Sequence, residues 1–243
     1  MKTFLLTALL FMFLVSPIYA ERVLYIGSAF EPPVSTPDQR GIVDRLVIEA
    51  FSRIGVEALI THLPAERSLL NTSQGINDGD LIRVAGLQYQ YPDMVKVHEK
   101  LIDFEFVAFT RDAQIRIHNW DDLSHYSVGI VRGWKILEEK AAHSLLTQVD
   151  SLELLFTLLE KGRADLVIYE RLAGIYAIQA MQMGNVYQLE PPLEVQPMYL
   201  YLHRAHRDLV DPLVAALQEM KQDGTFERIF ADALATLNDG GSL

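Results

Sequence analysis

The chain has 243 residues, a formal net charge of −11, a half share of apolar residues and no cysteine. That length suits one large domain or two small ones. The acidity argues against a nucleic-acid partner held through phosphates and against docking on an anionic membrane. Without cysteine there is no disulfide, thiolate nucleophile or cysteine-based zinc site. The seven histidines show neither a His-x-x-x-His nor a His-Glu-x-x-His spacing, so no metal or other cofactor is implied.

The first twenty residues read as a secretory signal. Lys2 supplies a basic start, residues 4–15 are apolar except for Thr7, Pro17 breaks the helix, and Ala20 is a small residue at the cut. The run is too short to span a bilayer core of about 30 Å. No later stretch is long and unbroken enough to do so, and no cysteine follows the cut to carry a lipid. The expected product is a periplasmic monomer.

Beyond the signal, strands and helices alternate. Residues 23–27 form an apolar strand ended by Glu31-Pro32-Pro33. A helix follows Gly41, with Val43, Leu46, Val47, Ala50, Phe51 and Ile54 at helical spacing and Gly55 as its stop. Residues 56–63 read as a strand, Pro64 opens a short helix, and residues 82–87 form the next strand. Extended pieces follow at 95–97 and 104–109.

A second set begins near Asp112. It has a strand at 127–131, a helix headed by Gly133 and Trp134, and a strand at 145–149. A helix at 150–161 carries capping-box spacing at Asp150 and Glu153. Then come a strand at 164–169, a helix at 171–183, a strand at 198–202 and C-terminal helices. Such alternation implies an α/β fold with mainly parallel sheets. Gly75-x-x-Asp78 and Gly162-x-x-Asp165 fall at matching places, which points to two similar lobes. Extended crossings near 109–111 and 195–201 would join them.

Several motifs together resemble the extracellular solute-binding protein family 3, the polar amino-acid-binding type. They are Phe30-Glu31-Pro32-Pro33, Gly41-Ile42-Val43-Asp44-Arg45-Leu46, Ser127-Val128-Gly129-Ile130-Val131-Arg132-Gly133, Gly162-Arg163-Ala164-Asp165-Leu166-Val167-Ile168 and Lys221-Gln222-Asp223-Gly224-Thr225-Phe226. The resemblance covers nearly all of the chain after the signal. It implies a two-lobed periplasmic-binding-protein type II fold, each lobe a mainly parallel sheet flanked by helices, with two hinge strands. Lobe one would take residues 21–109 and 197–243, and lobe two residues 110–196. A small polar ligand would sit between them and be passed to an ABC permease or reported to a sensor receptor. A few relatives of this family are dehydratases, but this chain shows no nucleophile motif, metal spacing or phosphate loop.

The resemblance places Phe30 against the ligand, and Phe30 reads equally as a core residue. It makes Gly86 and Leu87 a strand end whose backbone faces the ligand, and Glu170 the acid for a ligand amino group. A salt bridge from Glu170 to Arg171 or Arg132 is the alternative. Arg67, a cation at a helix start where the dipole disfavours it, is a candidate for a ligand carboxylate or phosphate; an ion pair with Glu66 is the alternative. Arg83, inside an apolar strand, needs a partner such as Asp78 or Asp80. Gly133 and Trp134 head a helix, where free N–H groups suit an anion and the indole either stacks on a ligand or fills lobe two. Asp44 and Asp165 read as structural acids. Amino-acid binders of the family carry an arginine shortly after Leu87. This chain has Gln88-Tyr89-Gln90-Tyr91-Pro92 instead.

If the signal is cut where it reads, intact-mass and N-terminal analysis of the exported protein will find Glu21 as the first residue. A mass that retains residues 1–20 would overturn that reading.

Overall fold

Each half of the chain is built by the same local sequence logic. The computed structural model describes residues 22–239; the signal segment and its cut near Ala20 lie outside the described residues. Strand β1 (Arg22–Ser28) leads to helix α1 (Ile42–Arg53), whose apolar stripe is buried. Gly55, at φ +71°, takes the left-handed turn that ends α1 and starts β2 (Val56–His62). Helix α2 (Ala65–Ser73) follows Pro64, and β3 (Gly79–Val84) closes the unit. β1 pairs in parallel with β2 on one side and β3 on the other.

Strands β4 (Met94–Lys96) and β5 (Ile102–Thr110) come next. The second unit repeats the first: β6 (Ser127–Val131), α3 (Lys135–Lys140), β7 (Leu145–Val149), α4 (Leu152–Glu160) and β8 (Leu166–Glu170). β6 lies in parallel between β7 and β8, as β1 lies between β2 and β3. Helix α5 (Arg171–Ala180), the short β9 (Tyr187–Gln188), the long β10 (Glu194–His203), α6 (Val210–Gln222) and α7 (Thr225–Asp239) complete the chain.

The matching Gly-x-x-Asp turns do the same job in both units. Gly75 and Gly162 have φ of +71° and +62°. Asp78 accepts a 2.8 Å hydrogen bond from Tyr25 N, and Asp165 accepts one of 2.8 Å from Ser127 N. Each aspartate also donates its own N–H to the same residue's carbonyl at 2.9 Å. The turn acid therefore locks the third strand of each unit onto its first.

The strands run in the order β2-β1-β3-β10-β5-β8-β6-β7. Two parallel triplets thus flank a central antiparallel pair. β5 pairs with β10 from Ile102 to Phe106 and with β8 from Phe106 to Thr110. β10 pairs with β5 through Met198, then with β3 and β4. Helices α6 and α7 return to pack on α1.

Two predicted elements differ in detail. The strand expected at 82–87 lies three residues earlier, because Gly86 (φ +97°) turns the chain into a single 3-10 turn at Leu87–Tyr89. The cap of α4 is Ser151, whose hydroxyl accepts from Leu154 N at 3.2 Å, while Asp150 pairs instead with Arg132 at 3.0 Å. Ser151→Ala should therefore cost about 1 kcal/mol in urea unfolding. Asp150→Ala, which removes only an exposed ion pair, should stay within about 0.5 kcal/mol of the parent. The reverse ranking would restore Asp150 as the cap.

Candidate functional site

The equivalent ends of β1 and β6 bring Phe30 and Trp134 face to edge. Their ring centroids lie 5.3 Å apart at 67°. The indole also stacks on Phe104 (6.2 Å), meets Phe106 edge-on (5.7 Å) and leans on Tyr169 (4.6 Å). Phe104 and Phe106 belong to β5 and Tyr169 to β8, so the ring sits where the two halves and the crossing strand converge. Burial and four aromatic pairs, each contributing about 0.5–1.5 kcal/mol, outweigh one cost. The buried Trp134 Nε1–H has no hydrogen-bond partner, a deficit of about 1–3 kcal/mol.

Arg83 stands at the end of β3, at the place in the first unit that Glu170 holds in the second. It is 6% exposed. Its Nε donates to Asp80 at 2.9 Å, its Nη2 to Ala65 O at 2.8 Å and its Nη1 to Gly133 O at 3.3 Å. Asp80, fully buried, is the acid anticipated as its partner. Burial raises the Asp80 pKa, and the Arg83 guanidinium works against that rise. The last bond ties the first half to the second.

A second tie lies beside it. Lys135 Nζ reaches Glu66 at 2.7 Å and Glu138 at 3.1 Å, while Glu138 accepts from Gly133 N at 2.8 Å. Burial opposes the lysine's charge, yet the two carboxylates hold its pKa above the usual range. Gly133, at φ +87°, lies so close to α2 that a Cβ would collide with the backbone of Ala65 and Glu66. Glycine is required there for both reasons.

Phe30, Leu87, Gly133 and Trp134 line one cavity together with Arg83, Val84, Phe106, Lys135, Ile136 and Met198. Its volume is about 20 Å³, room for a single water. The walls are in contact across a closed cleft. Gly86 sits in the turn behind Leu87. Val84 O and the Gln88 side chain accept from Tyr201 Oη at 3.0 and 3.1 Å, which pins this strand end, and Tyr89 is turned out to solvent.

The other two candidates stand elsewhere. Arg67 is on the exposed face of α2, and the acid beside it, Glu66, pairs with Lys135 rather than with Arg67. Glu170 is 3% exposed and caps α5. Its two carboxylate oxygens accept from Leu172 N at 3.0 Å and Ala173 N at 2.8 Å. Neither alternative ion pair forms: Arg171 binds Glu105 and Glu190, and Arg132 binds Asp150. Lys135, Phe104, Phe106 and Tyr169 are the residues here that the sequence does not single out, and Arg83 reads there only as an internally paired arginine.

These halves, crossing strands and cleft define a two-lobed architecture of the periplasmic-binding-protein type. No protein-family model matches the chain. Over 198 residues it is 27% identical to an uncharacterized protein of Shewanella oneidensis, covering 78% of this chain and 75% of that one. Its fold is similar to a histidine kinase sensor domain with similarity to periplasmic binding proteins (TM-score 0.78, 16% identity, 88% of this chain and 96% of that one). It is also similar to the GluR0 ligand-binding core in complex with L-glutamate (0.77, 14%, 88% and 99%) and to a mutant of ArgBP from T. maritima (0.75, 18%, 88% and 95%). At these identities the likeness is one of fold. These neighbours include binding proteins and ligand-binding cores, and among the described residues no helix is long and apolar enough to cross a membrane.

Burial raises the Glu170 carboxyl from 4.5 to about 7, against the pull of the two α5 N–H groups. Between those values the folded state holds a proton that the unfolded chain has released. The group's contribution to stability therefore falls as pH rises through that window. Glu170→Gln should match the parent near pH 5 and gain on it towards pH 8, by up to about 3 kcal/mol. A stability difference that stays flat across that range in paired urea titrations would refute the raised value.

Proposed function

We propose that the protein is a periplasmic solute-binding protein that closes two lobes over a small polar solute and delivers it to an ABC-type importer. The observation that carries this reading is the meeting of Phe30, Leu87, Gly133 and Trp134 in one cleft between two matched βαβαβ units. Ligand sites of open α/β sheets gather at such carboxyl ends of strands and between domains. Lobe one takes residues 21–109 and 197–243, and lobe two residues 110–196. The exchange of partners by β5 at Phe106 and by β10 around Met198 supports a hinge within those strands. Binding needs no catalytic group, and the charged groups at this cleft are all engaged in holding the fold. Arg67 and Glu170 enter the site only if opening of the cleft turns their surroundings towards it.

A second reading, the ligand-sensing partner of a membrane receptor, is favoured by one observation, the TM-score of 0.78 with the histidine kinase sensor domain. The two readings share the cleft and differ in the partner.

A thermal-shift screen of the purified protein against amino acids, organic acids and polyamines tests the shared claim. A bound solute at a hundredfold excess over its Kd should add about 2.7 kcal/mol of stability. Absence of stabilisation across the whole panel would remove the solute-binding reading. Uptake of the labelled solute by cells that lack the gene then separates the two partners. Lost uptake marks transport, and lost transcription with intact uptake marks sensing.

A further inference from the structure

We propose that the captured solute is a small monocarboxylate with an apolar body and no amino group. This rests on the solute-binding reading and narrows it. A zwitterionic amino acid brings an ammonium and a carboxylate into the cleft, and each must find a partner once water is expelled. No carboxylate lines the cavity. The acid that the strand-end position offers for an ammonium, Glu170, has both oxygens bound to the N-terminal N–H groups of α5. Glu138 is held by Lys135 within the second unit, and Glu66, whose bond to Lys135 crosses the cleft, does not line the cavity. Asp80 is fully buried, accepts from Arg83 Nε and is no part of the wall. An ammonium would be desolvated here without an acid to receive it.

The cleft does offer donors. Trp134 lines the cavity, is 5% exposed, and its Nε1–H is buried without a partner. Arg83 also lines it. The longest of its three bonds, 3.3 Å to Gly133 O, is the one that opening of the cleft would break, freeing Nη1. A guanidinium and an unpaired indole N–H on two residues that line one cavity suit a carboxylate, which accepts several charge-assisted hydrogen bonds. Apart from Lys135, a further cation bound to Glu66 and Glu138, the remaining wall side chains are apolar: Phe30, Val84, Leu87, Phe106, Ile136 and Met198. They suit a hydrocarbon or aromatic body.

Isothermal titration of the purified protein tests this with matched probes. They are 4-methylpentanoate against L-leucine, 3-phenylpropanoate against L-phenylalanine, and 3-phenylpropanamide as the uncharged control. At least one carboxylate should bind at least about tenfold more tightly than its amino acid and, for the phenyl pair, than the amide. Arg83→Gln should weaken that carboxylate by at least about tenfold, with the amide unaffected. Trp134→Phe, which keeps a ring and removes only the N–H donor, should weaken it severalfold and so stands in if Arg83→Gln does not fold. Tighter binding of leucine, phenylalanine or any amine in the wider screen would overturn the proposal and leave solute binding intact. Equal binding of acid and amide, or a Trp134→Phe protein with unchanged affinity, would also overturn it. No binding by any compound in the screen would remove the proposal and the solute-binding reading together.

Discussion

Everything in this molecule hangs on two strands that belong to both halves. β5 leaves β10 and joins β8 at Phe106, and β10 leaves β5 and joins β3 at Met198. These two strands join the βαβαβ units, and β1, β3, β6 and β8 end along the line between them. Of the four side chains there, Phe30 and Trp134 meet in the cleft, whereas Arg83 and Glu170, at matched places in the two units, take different partners.

The charge pair among those four shows the division. Arg83 faces the cleft because its partner Asp80 lies behind it on the same strand, leaving two N–H groups to reach the carbonyls of Ala65 and Gly133. Glu170 faces away because the next element, α5, begins immediately and presents two free N–H groups to it. A buried carboxylate with two donors at hand takes them in preference to an exposed arginine. The cleft thus keeps a cation and loses its acid, and local helix capping decides the electrostatics of the site.

Most of the elements are legible from pattern because they are local. The stripe of α1, the stops at Gly55 and Gly162, and the apolar runs of β1, β6 and β7 are set by neighbours a few residues away. The misread parts have long-range causes. The strand expected at 198–202 and the extended crossing expected at 195–201 are one strand, β10 from Glu194 to His203, which long-range pairing with β5 and β3 joins. The end of β3 is misplaced because Ala85-Gly86-Leu87 reads as apolar strand, whereas the positive φ of Gly86 makes it a turn. Ser151 outcompetes Asp150 as a cap because Arg132, from the neighbouring strand end, engages the aspartate. Phe30 and Leu87, named by the family resemblance, and Gly133 and Trp134, named by their place at a helix start, line one cavity. Arg67, read as a ligand candidate, lies on an exposed face, and Arg83, read as an internally paired arginine, is paired with Asp80 and also lines the cavity.

By itself the sequence determined the alternation of strands and helices, the repeated Gly-x-x-Asp turns and hence two like units, because hydrophobic period and turn chemistry act over short spans. Only the tertiary structure decided which side chains face one another across the cleft, since that depends on where β5 and β10 cross and on which buried polar groups find partners first. Trp134 among four rings and Arg83 on Gly133 are results of that packing, and no spacing along the chain encodes them.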